Sequence, residues 1–184
     1  MDVWEAIEKR RTVRVFKSGV PEPVLRRIIK AGSRAPSGGN SQPWEFIIVN
    51  DAGTVAAIAE QKYRMGLELQ KTSEEAAMRQ RNVYRNSRVV AICNKKGGLN
   101  GVAAWMAAEN MALAATAEGL GCVMSTLGGE FKGRVESLLG VPGTHELATV
   151  FVVGVPDEVP GKREVGVDRP DLSWLHKDRF GNPG

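Results

Sequence analysis

One segment near the middle of the chain constrains the fold more than any other, because it reads as a helix that is apolar on almost every side. Residues 102–118 are Val-Ala-Ala-Trp-Met-Ala-Ala-Glu-Asn-Met-Ala-Leu-Ala-Ala-Thr-Ala-Glu, and Gly119-Leu120-Gly121 supplies a glycine-type C-cap. Such a helix is buried, and its alanines let a second helix approach closely. We therefore expect a central helix that also contacts a second subunit; a core helix of a monomer is the alternative.

Short runs of apolar and β-branched residues lie on both sides of that helix. Five of them indicate strands: residues 12–16, Trp44–Val49, 88–93, 122–127 and 147–153. Further helices are indicated after Asp2, from Pro21 or Pro23 to Gly32, after a cap at Thr54, and over 131–139. Because strands alternate with helices and no linker or repeat interrupts them, the sequence predicts a single layered domain over residues 1–184.

Composition excludes several classes of protein. The chain is 42% hydrophobic and 25% charged, which is ordinary for a globular domain. It has no apolar run near the roughly 20 residues that cross a bilayer, and its start lacks a basic region followed by an apolar one, so we expect a cytoplasmic protein without a membrane partner. Cys93 and Cys122 have no second ligand at metal spacing, which predicts buried thiols and no metal site.

The net charge of +4 is compatible with nucleic acid, a membrane face or an anionic small molecule as partner. The densest basic cluster, Lys9-Arg10-Arg11 with Arg14, is too short for an extended nucleic-acid surface and suits a single phosphate. Cations at the end of a helix are also favourable without any ligand, because that end carries partial negative charge. We expect no nucleic-acid partner.

The stretch Pro36-Ser37-Gly38-Gly39-Asn40-Ser41-Gln42-Pro43-Trp44 has a composition that no ordinary helix, strand or core requires. Its two glycines permit close approach of backbone to a flat ligand, and its hydroxyl and amide groups both donate and accept hydrogen bonds. Turns before strands have a similar composition. The residues alone leave a turn and a ligand loop both open.

Two further segments are polar yet carry scattered large apolar side chains. Residues 60–87 read as helical and weakly apolar, which suits a lid or, more simply, an exposed helical hairpin. Residues 157–184 are rich in Gly and Pro, but they include Leu172, Trp174, Leu175 and Phe180. Since four such side chains are costly to leave in water, we expect this tail to lie across a protein body.

Candidates for catalysis by side chains are few. His145 and His176 have no partner at usable spacing, and no Ser or Cys lies in a Gly-x-Ser-x-Gly context. Neither a Gly-x-Gly-x-x-Gly pattern, nor a P-loop, nor a carboxylate pair in an apolar setting occurs. If the protein is an enzyme, we expect no catalytic side chain of its own and a cofactor that carries the chemistry.

Two motifs together point to a particular family of proteins. Glu8-Lys9-Arg10-Arg11-Thr12-Val13-Arg14 and Ala35-Pro36-Ser37-Gly38-Gly39-Asn40-Ser41-Gln42-Pro43-Trp44 together resemble the paired signature of the FMN-dependent nitroreductase family. The likeness covers nearly the whole chain, since the Ala-rich helix, the Leu138-Leu139-Gly140-Val141-Pro142 turn and a late Arg169-Pro170-x-Leu172 fall in the family's order. The resemblance implies an α+β homodimer with a central, mostly antiparallel sheet flanked by helices, two FMN molecules at the interface, and a C-terminal tail swapped onto the partner.

The resemblance also assigns roles to residues. Arg10 and Arg169 would hold the FMN phosphate, with Arg11 and Thr12 beside the phosphate and ribityl chain, and Arg14 would reach the pyrimidine edge of the flavin, where positive charge stabilises the reduced anion. Family members often have serine in place of Thr12 and lysine in place of Arg14, so a hydroxyl and a cation are retained. The ring would be lined by Pro36, Ser37, Gly38, Gly39 and Asn40 of the other subunit and covered by Leu127, Gly128 and Gly129.

In such a site NAD(P)H reduces the flavin by hydride transfer and leaves, and a small acceptor such as a nitroaromatic or quinone is then reduced at the same face. Residues 60–87 would help to form the substrate channel. Alternatives on the same scaffold are reductive dehalogenation and oxygen-dependent flavin cleavage. A flavin-binding or nucleic-acid-binding module without turnover is the alternative from another class. The sequence leaves open the natural acceptor and the choice between NADH and NADPH.

Overall fold

A computed structural model describes residues 1–157 and 174–182. The helices are α1 (Val3–Lys9), α2 (Glu22–Gly32), α3 (Ala52–Glu68), α4 (Glu74–Asn82), α5 (Asn100–Ala117) and α6 (Gly129–Leu138), with a short 3₁₀ turn at Gly38–Asn40. The strands are β1 (Phe16–Ser18), β2 (Trp44–Val49), β3 (Arg88–Lys95), β4 (Gly121–Ser125) and β5 (His145–Pro156). None of the helices in these ranges is both long enough and apolar enough to span a bilayer.

The five strands form one sheet organised around β5. This long strand pairs with β1, β3 and β4, and β2 extends the sheet beyond β3; every strand pair is antiparallel. The β2–β3 pairing runs without interruption from Trp44 opposite Asn94 to Val49 opposite Val89. The predicted antiparallel sheet with flanking helices is confirmed, and it places the end of β4 beside the segment that follows α1.

Helices cover both faces of the sheet because β3 and β5 are apolar at nearly every position. Alternate residues of β3 face opposite sides, as the pleat requires. Val89, Ala91 and Cys93 belong to a core with Ile58 of α3 and Val135 of α6, whereas Val90 and Ile92 belong to a second core that includes Leu25 of α2 and Met111 of α5. Strands buried on both faces read as continuous apolar runs, which is why the sequence identified them.

Helix α5 is central, as predicted. Eight of its residues are buried, six of them alanines, and Gly119 takes φ 74° while Leu120 N–H donates to the carbonyl of Ala115 at 2.9 Å. One stripe of the helix nevertheless stays exposed in the protomer, and it carries the large apolar side chains of Val102, Trp105 and Met106. The thiols of Cys93 and Cys122 are buried, and burial raises the pKa of Cys93 to about 11 and that of Cys122 to about 12.

Two local predictions are wrong. The strand expected at 12–16 lies later, at Phe16–Ser18, because residues 12–15 make only an isolated parallel bridge, between Thr12 and Cys122. Helix α3 is capped by Asp51 rather than by Thr54. The Asp51 carboxylate accepts hydrogen bonds from the backbone N–H of Thr54 at 2.7 Å and from its hydroxyl at 2.8 Å, and an acidic side chain is a strong acceptor at this position.

The tail is described only over residues 174–182, where Trp174, Leu175 and Phe180 are all exposed. Leu172 and most of the segment on which the predicted tail swap depends lie outside the described residues. Residues 60–87 form the end of α3, all of α4 and the turns on either side, which is the helical hairpin that the sequence favoured.

Candidate functional site

The basic cluster after α1 is spread over two surroundings. Arg10 is the C-cap residue of α1, and its Nε lies 3.5 Å from Oε1 of Glu109 on α5. The guanidinium of Arg11 donates instead to the backbone carbonyls of Glu8 and, at 2.8 Å, of Arg10. Arg11 therefore interacts with the carbonyls at the C-terminal end of α1, as a cation at a helix end does without any ligand. Arg10 points towards α5, and its guanidinium is half-buried.

The next residues run alongside β4. Val13 N–H donates to the carbonyl of Cys122 at 3.0 Å, and the Val13 side chain is buried. A Cβ at Gly121 would lie 2.6 Å from Val13 Cβ, so only glycine lets the two segments approach this closely. Thr12 and Arg14, on either side of Val13, are exposed. The close contact therefore holds a hydroxyl and a guanidinium beside β4.

A cavity of about 260 Å³ lies at the end of β4. Of the residues that the structure describes, two cationic side chains line it, Arg14 and Lys62, and no carboxylate does. The remaining lining residues are neutral: Gln70, Gln80, Val83, Val123, Met124, Ser125 and Thr126. Two cations without an acidic residue in one cavity make an environment that favours an anionic ligand.

Lys62 is the unusual member of this cavity, because it is only 8% exposed. Its Nζ donates to the backbone carbonyl of Thr126 at 2.7 Å. Burial lowers the pKa of its ammonium, since the charged form is poorly solvated there. One turn further along α3, Sδ of Met65 accepts a hydrogen bond from Gly128 N–H at 3.2 Å. Helix α3 thus holds the backbone after β4 at two points.

A buried hydrogen bond between two hydroxyl groups fixes Ser125, one of the residues that line the cavity. Tyr84, just before β3, donates its O–H to Oγ of Ser125 at 2.9 Å. Burial raises the pKa of Tyr84 to about 12, so this phenol remains a neutral donor near neutral pH. The pair fixes the last residue of β4, from which the cavity-lining Thr126 follows.

Beyond Thr126 the chain turns into α6. Leu127 is partly buried against the core, Gly128 is the N-cap residue, and Gly129 adopts φ 56°, a conformation that favours glycine. Side chains at these glycines would meet only Leu69 of α3, at 3.7 to 3.8 Å. The sequence prediction of a backbone approach at Gly128 and Gly129 is compatible with this open surface.

The Gly-rich stretch before β2 lies apart from this cavity. It forms a short turn in which Gly39, Asn40 and Gln42 all take positive φ, and Gln42 N–H donates to Oγ of Ser37 at 2.9 Å. A Cβ at Gly38 or at Gly39 would meet nothing within 4 Å. None of these residues is among those described as lining the cavity of Arg14 and Lys62.

Three further residues were singled out in the sequence: Arg169, His145 and His176. Arg169 lies outside the described residues. His145 contacts the Thr144 hydroxyl at 3.0 Å, and His176 stacks near Phe180 with ring centroids 4.4 Å apart. Neither histidine lines the cavity of Arg14 and Lys62. Within residues 1–157 and 174–182, no group of three or more His, Cys, Asp or Glu could hold a metal ion.

An antiparallel α+β domain with two cationic side chains in a cavity at the end of a strand is compatible with a site for an anionic small ligand. The model of the nitroreductase family matches residues 7–155, and the chain belongs to that family. The resemblance seen in the two sequence motifs and the α+β fold class are both confirmed.

Individual relatives differ in what they do. The iodotyrosine deiodinase of Thermotoga neapolitana is 29% identical over 170 residues, covering 85% of this chain and 89% of that protein. A protein of Archaeoglobus fulgidus with the provisional name NADH dehydrogenase/NAD(P)H nitroreductase is 28% identical over 184 residues, which cover 95% of this chain and 96% of that protein. The crystal structure of an oxidized iodotyrosine deiodinase bound to FMN and 3-iodo-L-tyrosine matches with a TM-score of 0.73 and 26% identity over 92% of this chain and 99% of that one.

Proposed function

We propose that the protein is an FMN-dependent oxidoreductase that uses NAD(P)H to reduce nitroaromatics, quinones or related small acceptors. The observation that carries this proposal is the pair of cations, Arg14 and Lys62, in the cavity at the end of β4. The backbone of Gly128 and Gly129 follows that strand and offers an approach free of side chains, and Arg10 supplies a third cation where it faces α5. A deiodinase structure that matches nearly the whole chain contains FMN, which supports the choice of ligand.

The residues present fit the chemistry of FMN. Its phosphate needs charge-assisted donors, and Arg10 offers a guanidinium at a half-buried surface, with Thr12 offering a hydroxyl nearby. Its electron-accepting ring needs a cationic surrounding without competing carboxylates, which the cavity of Arg14 and Lys62 provides. Arg11 would join the phosphate contacts only by leaving the carbonyls that it now binds.

Further residues would line the cofactor in the proposed site. Arg169 is expected at the phosphate, and Leu127, Gly128 and Gly129 would cover the ring. Gly128 N–H is already donated to Met65 Sδ, so the N–H of Gly129 is the free donor of this pair among the described hydrogen bonds. When bound, FMN would supply the electron-transfer chemistry, and the side chains named here would position it and set its charge environment.

The proposal includes a homodimer. Helix α5 exposes Val102, Trp105 and Met106, and α1, which packs on α5, exposes Trp4 and Ile7. Two neighbouring helices with such side chains form a contiguous apolar surface of the kind that subunit interfaces bury. The partner would then contribute the cofactor contacts that lie apart from the cavity in this protomer: Pro36, Ser37, Gly38, Gly39 and Asn40.

The helical pair α3 and α4 would form one wall of the channel for the acceptor. Lys62 and Gln70 reach the cavity from α3 and the turn after it, and Gln80 reaches it from α4. The polar side chains that these two helices and the turn between them present to the cavity would then contact the acceptor, which assigns residues 60–87 to the substrate channel.

Reductive dehalogenation is the second candidate, and one observation favours it. The iodotyrosine deiodinase of Thermotoga neapolitana is similar to this chain over 85% of its length. Both candidates require the same flavin and the same cations, and they differ in the acceptor. The activity test therefore has to include a halogenated phenol beside a nitroaromatic and a quinone.

The experiment is a visible absorption spectrum of the purified protein after addition of FMN and removal of excess, followed by anaerobic addition of NADH or NADPH. We expect a flavin band that bleaches with nicotinamide and returns with the preferred acceptor, and product analysis then separates nitro reduction from loss of iodide. A protein that retains no FMN contradicts the proposal. A band that nicotinamide does not bleach contradicts the NAD(P)H dependence.

A further inference from the structure

The buried ammonium of Lys62 has one hydrogen-bond acceptor among the described residues, the carbonyl of Thr126 at 2.7 Å. An ammonium carries three N–H donors, so two remain for other groups. No ion pair of Lys62 occurs within residues 1–157 and 174–182. Because buried charges are normally paired, a lysine that is 8% exposed with one carbonyl partner is suited to an anion that residues 1–157 and 174–182 do not supply.

The position of Lys62 identifies where that anion would sit. Its side chain lines the same 260 Å³ cavity as Arg14, and no acidic side chain from the described part of the chain lines it. Arg14 is the residue that the family resemblance places at the pyrimidine edge of the flavin. The cavity therefore brings a second cation, from a helix about fifty residues further along the chain, to the same edge.

Helix α3 also fixes the backbone that borders this edge. Lys62, Met65 and Leu69 lie on one face of the helix at i, i+3 and i+7, and they meet the chain at Thr126, Gly128 and Gly129 respectively. The carbonyl of Thr126 anchors the ammonium, while the thioether of Met65 holds the following peptide. A flexible lysine is thereby given a defined place in the site.

We propose that Lys62 is a cofactor-binding residue, which acts beside Arg14 to favour the additional negative charge that reduced FMN carries at its pyrimidine edge. The inference rests on the proposed function and adds a residue to that site. Burial disfavours the charged form of the ammonium, and an anion next to it favours that form. Lys62 therefore binds the reduced cofactor more strongly than the oxidised one.

The test compares Lys62→Met and Lys62→Gln with the unaltered protein, each loaded with FMN. Glutamine retains a donor for the Thr126 carbonyl and removes only the charge. We measure the dissociation constant of oxidised FMN by fluorescence titration and the midpoint potential of the bound flavin by equilibration with redox dyes. Arg64→Met is the matched control, since Arg64 lies on the same helix and pairs with Glu68 outside the cavity.

We expect both Lys62 variants to bind reduced FMN about tenfold less tightly relative to oxidised FMN, which corresponds to a midpoint potential lowered by about 30 mV for a two-electron couple. Arg64→Met should leave the potential unchanged. If Lys62→Met does not fold, Lys62→Gln decides the question. An unchanged potential in a folded, FMN-loaded Lys62→Gln overturns the role of Lys62 alone, whereas failure of the unaltered protein to bind FMN overturns the proposed function.

Discussion

Nε of Arg10 lies 3.5 Å from Oε1 of Glu109, which joins the C-terminal end of α1 to the middle of α5. The side chains are 28% and 48% exposed, and an ion pair in such a setting contributes at most about 1 kcal/mol to folding. The Arg10 guanidinium is thus oriented by the Glu109 carboxylate, and loss of this ion pair should change the stability of the fold little.

Arg10→Ala should weaken FMN binding roughly 10- to 100-fold, because a hydrogen bond to a charged group is worth about 1.5–3 kcal/mol. The melting temperature should change little. Fluorescence titration with FMN measures the effect, and riboflavin, which lacks the phosphate, is the matched ligand. Lys9→Ala is the control variant, since Lys9 is at the same helix end and pairs with Glu5. Equal losses for FMN and riboflavin would refute the phosphate assignment.

Gly121→Ala should destabilise the protein by about 1–3 kcal/mol, because the new methyl group would overlap with the stiff, β-branched Val13. FMN affinity should fall as well, since the strand contact holds Thr12 and Arg14 in place. Gly133→Ala on α6 is the control: its Cβ would meet nothing within 4 Å, and alanine favours a helix by about 0.5–1 kcal/mol over glycine. Urea unfolding of both variants gives the comparison, and a Gly121→Ala protein as stable as the parent would contradict the close packing.

Tyr84→Phe should lower the free energy of unfolding by about 1–2 kcal/mol near neutral pH, because Ser125 loses its buried partner. The difference should then shrink above pH 10. Unfolded tyrosine ionises from its ordinary pKa of 10.0, whereas folded Tyr84 has a pKa of about 12, so the stability that the protonated phenol contributes is present below pH 10 and is lost as the pH rises towards 12.

Chemical denaturation of both proteins across that pH range measures the effect of Tyr84. The slope assigned to Tyr84 cannot exceed about 1.4 kcal/mol per pH unit, because a single proton is involved. The buried thiols of Cys93 and Cys122 are present in both proteins and cancel in the difference. A difference between the two proteins that stays constant from neutral to alkaline pH would show that Tyr84 is not protected from ionisation.

Trp105→Glu should convert the proposed dimer to a monomer and release FMN, because a charge would enter the apolar stripe of α5. Leu138→Glu is the control: Leu138 is 44% exposed and Trp105 is 39% exposed, but Leu138 lies on α6, away from that stripe. Sedimentation velocity measures the state of each variant. A parent protein that sediments as a monomer, or a Trp105→Glu protein that remains a dimer with FMN, would count against the subunit interface.

The sequence predicted the parts of the fold in which one local rule dominates. β3 and β5 were identified because they are apolar at consecutive positions, as strands buried on both faces are. α5 was identified by its alanine content and by the glycine C-cap at Gly119. The segment after α1 was placed wrongly because Val13 and Phe16 suggest a strand, while the actual pairing of β1 is set by contact with Val155 and Pro156 near the far end of the chain.

For the candidate site too, the sequence suggested some residues and missed another. The family resemblance assigned Arg14, Gly128 and Gly129 to the site, and these assignments stay predictions. Lys62 was not identified, because it lies in a polar helix where a lysine is unremarkable and its partner is 64 residues away. The available signal was its spacing to Met65 and Leu69, which puts a lysine on a face that is otherwise apolar.

The central position of β5 has a consequence for how the protein is made. Because β5 contacts β1, β3 and β4, the sheet cannot be completed on the ribosome until His145–Pro156 has been synthesised and has left the exit tunnel. Until then β3 has β2 on one side and an open edge on the other. Truncation or ribosome stalling before this strand should therefore leave a chain that depends on chaperones, however well its earlier helices form.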